Sequence, residues 1–376
     1  MSKNVSNNDK ENNKAVLVGF LVILIVVLAV CAGLIIKKQL SNNDDNNTTK
    51  KDYTEATEKV TTIDKEAVPE KTDEIQHKTG TETIALFGVD SRSNGTGKGT
   101  RSDSLMVAYV DHDNETVKVA SIYRDTMVHI EGHGYEKITH AHSYGGAELA
   151  VSTLNENFDL DITHYLTVNF NSVADLIDDM GGVDQDIDSA EVQYINGYID
   201  EVNRVRGTSS PHITSAGNYL LDGTQAVAYS RIRYTAGGDY KRTERQRTIL
   251  FKVFQTAKTL STTQKIELMN KMMGEINTDY PSDEMLVLLH YLSQYKIEAM
   301  DAFPKVFYGG LVGKAWVEVP ITLIDMNAAM HEFLYNETDY QPSAAVTEYN
   351  SVLQGKASSA NNDLSGYTYE LDDLEQ

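Results

Sequence analysis

The pattern of apolar and polar positions divides the chain into four regimes. Ala15 to Ile36 is an uncharged, apolar run of 22 residues. At a rise of about 1.5 Å per residue it extends roughly 33 Å, enough to cross a bilayer core. It is also longer than the apolar region of a cleaved signal peptide. A transmembrane helix is therefore expected at 15–36, behind a cytoplasmic arm at 1–14. Residues 37–82 are polar, with Asn-Asp clusters at 42–47 followed by mixed Lys and Glu, the composition of a flexible stalk. From 83 to 345 short apolar runs recur with turn residues between them, the pattern of one large folded domain. Beyond 346 the chain turns Ser/Asn-rich and then acidic, and a disordered tail is expected at 346–376.

Within the domain, Thr83 to Asp90 reads as a buried strand ending in a carboxylate. Ser104 to Val110 and Thr116 to Tyr123 read as a hairpin around the polar 111–115 segment. Helical spacing of Leu149, Val151 and Leu154 predicts a helix over 145–157. His164 to Phe170 is a further strand, and Asn171 or Ser172 is the expected cap of a helix ending at Gly181-Gly182. Val183 to Ile187, Lys296 to Phe303 and Ala315 to Val319 complete the expected strands. Asp222 is placed to cap a helix over 223–230, Lys241 to Leu260 is a longer helix, and Leu323 to Leu334 another. Residues 197–218 are expected to form a surface loop. Strands and helices alternate without repeats, which predicts an α/β fold with a mixed central sheet flanked by helices, an α-β-α sandwich.

Charge narrows the choice of partner. The chain carries a net charge of −22, and the span 83–345 alone carries −15. A domain so acidic lacks the broad basic face that nucleic-acid binding uses, so no nucleic-acid partner is expected. Cys31, the one cysteine, lies inside the apolar run, so no disulfide staples the outer domain.

The arginines are distributed unlike the lysines. All ten fall between Arg92 and Arg247, mostly in clusters, whereas the 23 lysines run from Lys3 to Lys356. Arginine's planar fork matches phosphate or carboxylate bidentately, which a lysine point charge does not. Converging clusters would make a phosphate site. Asp90 ends the first strand, where ligand sites form in open α/β sheets, and Asp103 opens the next. Together they could hold one hard cation, Mg2+ or Mn2+, against phosphate oxygens. Arg242, Arg245 and Gln246 stand at i, i+3 and i+4 and share one helix stripe, with Asp239 just ahead. His140 and His142 have metal-ligand spacing, but no third ligand stands near them. No Walker loop, dinucleotide fingerprint or nucleophile elbow is present.

Taken in order, these segments resemble the LytR–CpsA–Psr family of bacterial cell-envelope proteins. The matching pieces are Phe87-Gly88-Val89-Asp90-Ser91-Arg92, Arg101-Ser102-Asp103-Ser104, Ser121-Ile122-Tyr123-Arg124-Asp125-Thr126, Lys137-Ile138 and Ser143-Tyr144-Gly145-Gly146. Further on come Val168-Asn169-Phe170, Gly181-Gly182-Val183, Leu221-Asp222-Gly223, Ala228 to Arg233, Asp239 and Arg242 to Gln246. The resemblance implies a phosphotransferase that moves an anionic glycopolymer, of teichoic acid or capsule type, from a polyprenyl-pyrophosphate carrier to a peptidoglycan sugar hydroxyl. It implies Asp90 and Asp103 as magnesium ligands and Arg124, Asp125 and Arg242 as catalytic residues. Arg92, Arg101, Lys137, Arg231, Arg233, Arg245, Gln246 and Asp239 would serve the pyrophosphate. It further implies an apolar lipid tunnel, with Leu149, Val173, Leu176, Ile177, Leu250, Val253 and Phe254 as wall candidates. The setting would be a single-pass anchor with the domain on the outer face of a Gram-positive membrane. A hydrolase of the same pyrophosphate, or a non-catalytic lipid-polymer-binding regulator, are the alternative readings. Two departures from the family pattern are Tyr123, where proline is usual before the arginine, and His140-Ala141-His142, where an Asn/Ala-rich run is usual.

Overall fold

Strand β1 (Thr81–Val89) sends Ile84 and Leu86 to one face and Ala85 and Phe87 to the other, all four buried. Such a strand must be covered on both sides. The computed structural model, which describes residues 79–89, 96–235, 238–272, 276–279 and 294–360, shows how that cover is built. The expected membrane span and nearly all of the stalk lie outside the described residues. Among the described residues, no helix is long and apolar enough to cross a membrane.

From β1 the chain doubles back as β2 (Ser102–Asp111) and again as β3 (Thr116–Ile122), both pairings antiparallel, giving the expected hairpin. A small hairpin of β4 (Met127–Ile130) and β5 (Gly134–Lys137) leads into α1 (Thr139–Phe158). The chain returns as β6 (Ile162–Asn169), parallel to β1. Then follow α2 (Phe170–Asp179), β7 (Val183–Ile187), α3 (Ser189–Arg206), β8 (Gly217–Leu221), α4 (Gly223–Ser230), α5 (Gly238–Thr259) and α6 (Thr262–Met272). The remainder is β9 (Asn277–Thr278), β10 (Lys296–Phe303), β11 (Phe307–Val312), β12 (Ala315–Pro320), α7 (Leu323–Tyr335) and α8 (Ala344–Ala360).

The central sheet has the order β10-β3-β2-β1-β6-β9 and is mixed, as expected. Helices α2 to α6 pack on one face, around Leu86, Met106, Val168, Leu176 and Phe254. On the other face α1, α7 and α8 cover Phe87, Val107, Ile122, Leu154 and Met330. Because β1, β3, β6 and β10 run the same way, their carboxyl ends and the start of β2 gather along one edge. That edge is where an open α/β sheet builds its ligand site.

Three local expectations are corrected. The cap of α2 is Asn169, whose side chain accepts from the Ser172 N–H; Asn171 and Ser172 already lie inside the helix. Residues 197–206 belong to α3, whose Ile195, Ile199 and Val202 form a buried stripe behind a capping box of Asp188 and Glu191. The helix is clipped down by Arg206, which donates to Asp175 at 2.5 Å, Asp178 at 2.8 Å and the Thr224 hydroxyl at 2.6 Å. The expected tail at 346–376 begins instead as α8, because Val346, Leu353 and Ala357 recur at helical spacing and are fully buried against α1 and β11. The folded domain therefore runs to about Ala360, and only the stretch after it lies outside the described residues. Asp222 caps α4 as expected, in a capping box with Gln225.

Candidate active site

The turn after β3 is fastened at every carbonyl. Tyr123 O accepts from the Thr126 N–H, Arg124 O from Thr139, Asp125 O from Glu318 and Thr126 O from Ile138. The Tyr123 N–H donates to Phe303 O on β10 at 2.9 Å. A proline at that position has no N–H to give. The Tyr123 ring packs edge-on against Tyr240 at 4.9 Å and against Phe307 at 6.3 Å. Burial raises its phenol to about 12, with the charge of Arg247 working in the opposite direction. The turn thus acquires rigidity from hydrogen bonds and aromatic packing.

Held in this way, Arg124 reaches across to the start of β2. Its Nη1 lies 2.5 Å from Asp103 Oδ1, while Arg233 Nη2 stands 4.0 Å from Asp103 Oδ2. Asp125 turns to Lys137, with Nζ 2.8 Å from Oδ1, and lies 3.9 Å from Arg124 Nε. Asp103, Arg124, Asp125 and Lys137 are mostly shielded from water, so their charges are felt more strongly than on an open surface, while Arg233 is more exposed. The structure therefore brings Asp103, Arg124, Asp125, Lys137 and Arg233 into one cluster. Asp90, Arg92 and the side chain of Asp239 lie outside what is described. Val89, just ahead of Asp90, pairs with Ser102, just ahead of Asp103.

The other arginines divide by role. Arg242 is buried on α5 between two markers of the site: Tyr240 packs on Tyr123, and Gln246 lines a cavity beside Gly88 and Ser104. Arg231 lies over the rings of Phe170 (5.8 Å) and Tyr198 (5.9 Å) and pairs with Glu201. Arg101 is exposed at the rim. Arg245 departs from the expected pyrophosphate role. Its Nε donates to Glu191 at 2.8 Å, Nη1 to Ile232 O and Nη2 to Thr235, so the whole fork is spent on tying α5 to α3 and to the segment after α4. Helix spacing put it on the stripe, but a partner 54 residues away claims it.

The cavity opens from the site edge into the α2–α5 face and encloses about 780 Å³, counting the part open to solvent. Ser104, Asn169, Ser230 and Gln246 are its polar lining, Gly88 borders it, and the rest is apolar. Of the wall candidates, Val173, Leu176, Leu250 and Val253 line it, and Ile177 and Phe254 are buried core in the same cluster. Leu149 packs on the opposite face of the sheet and is not a wall. Asn169 thus serves twice, as the α2 cap and at the cavity.

His140 and His142 do not form a metal pair. His140 Nδ1 faces Glu136 at 3.0 Å, whereas His142 is fully buried against Phe87, with Nδ1 donating to Thr100 O at 3.0 Å. Burial lowers the His142 pKa, against the opposing pull of its bond to Thr100. Its bond and that from Gly99 N–H to Ser143 O pin the Gly-rich loop that leads to Asp103. Sequence reading missed Glu318, a buried carboxylate that accepts from Tyr240 OH at 3.2 Å while its backbone holds Asp125. Nothing in its sequence neighbourhood distinguishes it from an ordinary edge-strand residue. Among the described residues, no group of three or more His, Cys, Asp or Glu is arranged to hold a metal.

The chain resembles several known proteins. The chain is 33% identical over 195 residues to the polyisoprenyl-teichoic acid–peptidoglycan teichoic acid transferase TagT of Bacillus subtilis, covering 51% of this chain and 58% of that protein. It is 28% identical over 239 residues to the corresponding transferase TagU of Enterococcus faecalis, covering 63% and 71%. The chain thus matches little more than half of the first relative's length. The crystal structure of B. subtilis TagV superposes with a TM-score of 0.52 at 27% identity, covering 70% of this chain and all of that one. The profile of the LytR_cpsA_psr family matches residues 41–306, most of the chain. This protein belongs to the LytR–CpsA–Psr family.

Proposed function

We propose that this protein transfers a phosphate-linked anionic glycopolymer from a polyprenyl-pyrophosphate carrier to a sugar hydroxyl of peptidoglycan. The observation that carries the reading is the meeting of an apolar cavity with a cationic cluster: Gly88, Ser104 and Gln246 border the cavity, and Asp103, Arg124 and Arg233 stand at the same sheet edge. A lipid tail suits the first and a pyrophosphate the second. The names of the relatives support the same chemistry.

In the proposed reaction the acceptor oxygen attacks the phosphorus that bears the glycan. The new P–O bond forms as the P–O bond to the carrier's phosphate breaks. The glycan then stays on phosphate as a diester, the carrier leaves as its monophosphate, and the acceptor proton passes to a carboxylate, Asp125 or Asp103. The protein's share is positioning and neutralisation of the charge that develops on the bridging and terminal oxygens. Arg124, Arg233 and Arg242 present guanidinium forks to those oxygens, and Lys137 adds a point charge beside Asp125. Asp103, which faces Arg124 and Arg233, is a hard carboxylate beside the cavity-lining Ser104, and with Asp90 as its proposed companion ligand it would hold Mg2+ or Mn2+ against the pyrophosphate. Such an ion would supply further neutralisation of the pyrophosphate. The domain would work on the outer face of a Gram-positive membrane, anchored by residues 15–36.

The test uses the full chain in detergent with a lipid-pyrophosphate-linked saccharide, peptidoglycan oligomers and magnesium or chelator, with products read by mass spectrometry. A saccharide–phosphate–peptidoglycan adduct is the expected product. Free saccharide phosphate alone would replace transfer by hydrolysis, and tight binding without product would leave a binding role.

A further inference from the structure

In-line displacement places the attacking and departing oxygens on opposite sides of phosphorus. The cavity proposed for the departing carrier lies on the α2–α5 face of the sheet, so the acceptor arrives from the α1 face. There the β4–β5 hairpin meets the first turns of α1. Lys137 closes on Asp125, and the Thr139 N–H donates to the Arg124 carbonyl. Five residues further along α1, about 7.5 Å by helical rise, stands Tyr144.

The Tyr144 ring is stacked on His133, from the hairpin turn, with centroids 4.0 Å apart and planes 11° from parallel. Both residues are exposed, Tyr144 at 39%. Among the described residues, neither ring is part of the core cluster that fills this face. His140 stands 5.8 Å from the Tyr144 ring and holds Glu136 through Nδ1. A flat aromatic surface with a carboxylate and an imidazole at its border matches a pyranose. The sugar's C–H face packs on the ring, and its hydroxyl and acetamido groups bond at the rim. Glu136 at the border of the stack, and the exposed Glu131 two residues before His133 in the hairpin turn, disfavour an anionic polymer here and favour an uncharged glycan backbone.

We propose that His133 and Tyr144, bordered by His140 and Glu136, form a carbohydrate platform that binds the acceptor's uncharged N-acetylated glycan one or two sugars from the reacting hydroxyl. This rests on the transfer reading above.

The experiment has two arms on the full chain in detergent. Saturation-transfer NMR with chitotetraose, the β-1,4-linked tetramer of N-acetylglucosamine, is expected to give sugar signals that Tyr144→Ala and His133→Ala both abolish. In the transfer assay the same variants are expected to raise the KM for peptidoglycan oligomers about five- to ten-fold, the size of one lost aromatic stacking contact, with the donor KM unmoved. An unchanged acceptor KM in both variants overturns the platform. A wild type that transfers nothing overturns the transfer reading, and the tetramer arm then decides alone. Signals lost in both variants retain a glycan site, and signals absent or indifferent to the variants remove it.

Discussion

Arg124 Nη1 and Asp103 Oδ1 lie 2.5 Å apart, although 21 residues separate them in the chain and each opens or follows a different strand. The arginine is thus already aimed, by its own carboxylate, at the edge where the cavity opens. A charge fixed before the substrate arrives needs no reorganisation during reaction.

Replacing that arginine isolates its contribution. Arg124→Ala is expected to lower turnover about 10²- to 10³-fold, the usual cost of losing one preorganised charge-stabilising group. Binding of the lipid-linked donor, measured by calorimetry, should change far less, because the cavity wall is untouched. Arg124→Lys should recover little, since a point charge does not reproduce the fork. Turnover near wild type in Arg124→Ala would remove the arginine from the transition state.

On the proposed reading, Asp103 is expected to matter through a bound cation as well as through Arg124. In Asp103→Asn the magnesium concentration needed for half-maximal turnover should rise, and direct Mn2+ titration of the protein should show weaker binding. Equal Mn2+ affinity in the variant and the wild type would assign the metal to other ligands.

Tyr123→Pro restores the residue usual in the family but is expected to harm this chain. It removes the N–H that donates to Phe303 and the ring that packs on Tyr240 and Phe307. A loss of about 3 kcal/mol or more follows from a deleted buried aromatic and an orphaned carbonyl. For a domain of this size the melting temperature should fall by roughly 6–12 °C in a thermal scan. An unchanged melting temperature would show that the turn is held without the ring.

Acid should loosen the Gly-rich loop through His142. Its native pKa is depressed, so the unfolded chain binds the proton first as pH falls. Its contribution to stability is therefore complete above the ordinary histidine value of about 6.5 and is lost as pH drops through that value towards the native pKa. Thermal scans at pH 7.5 and 5.5 should show a smaller acid-induced loss in His142→Gln than in the wild type. The same loss in both would place the acid sensitivity elsewhere.

How much of this could be read in advance depended on range. The buried apolar run of β1, the Asp222 cap and the hairpin around 111–115 are set by residues close in sequence, and all were legible. The fate of each arginine was not. Arg242 and Arg245 share a stripe and a motif, yet Arg245 is consumed by Glu191 because α3 lies alongside, a matter of tertiary packing. α3 and α8 were overlooked for a different reason. Residues 197–218 were read as a surface loop and the Ser/Asn-rich end as a tail, while the sparse stripes Ile195-Ile199-Val202 and Val346-Leu353-Ala357 carried the helical signal. Glu318 was beyond reach, since its importance comes from the partner strand and from Tyr240, 78 residues away.

The direction of β1 has a mechanical consequence. Its first residue, Thr81, sits at the sheet edge opposite the arginines, and nine strand residues at about 3.3 Å each separate the two edges by roughly 30 Å. If residues 15–36 anchor the chain and the donor is lipid-linked, as proposed, a short rigid connection would hold the chemistry one domain-length away from the bilayer. A leash long enough to let the domain roll over lifts that constraint. Residues 37–82 number 46, a contour that exceeds that separation several-fold, so on the proposed reading shortening it should starve the site of its lipid without altering a single residue that touches it.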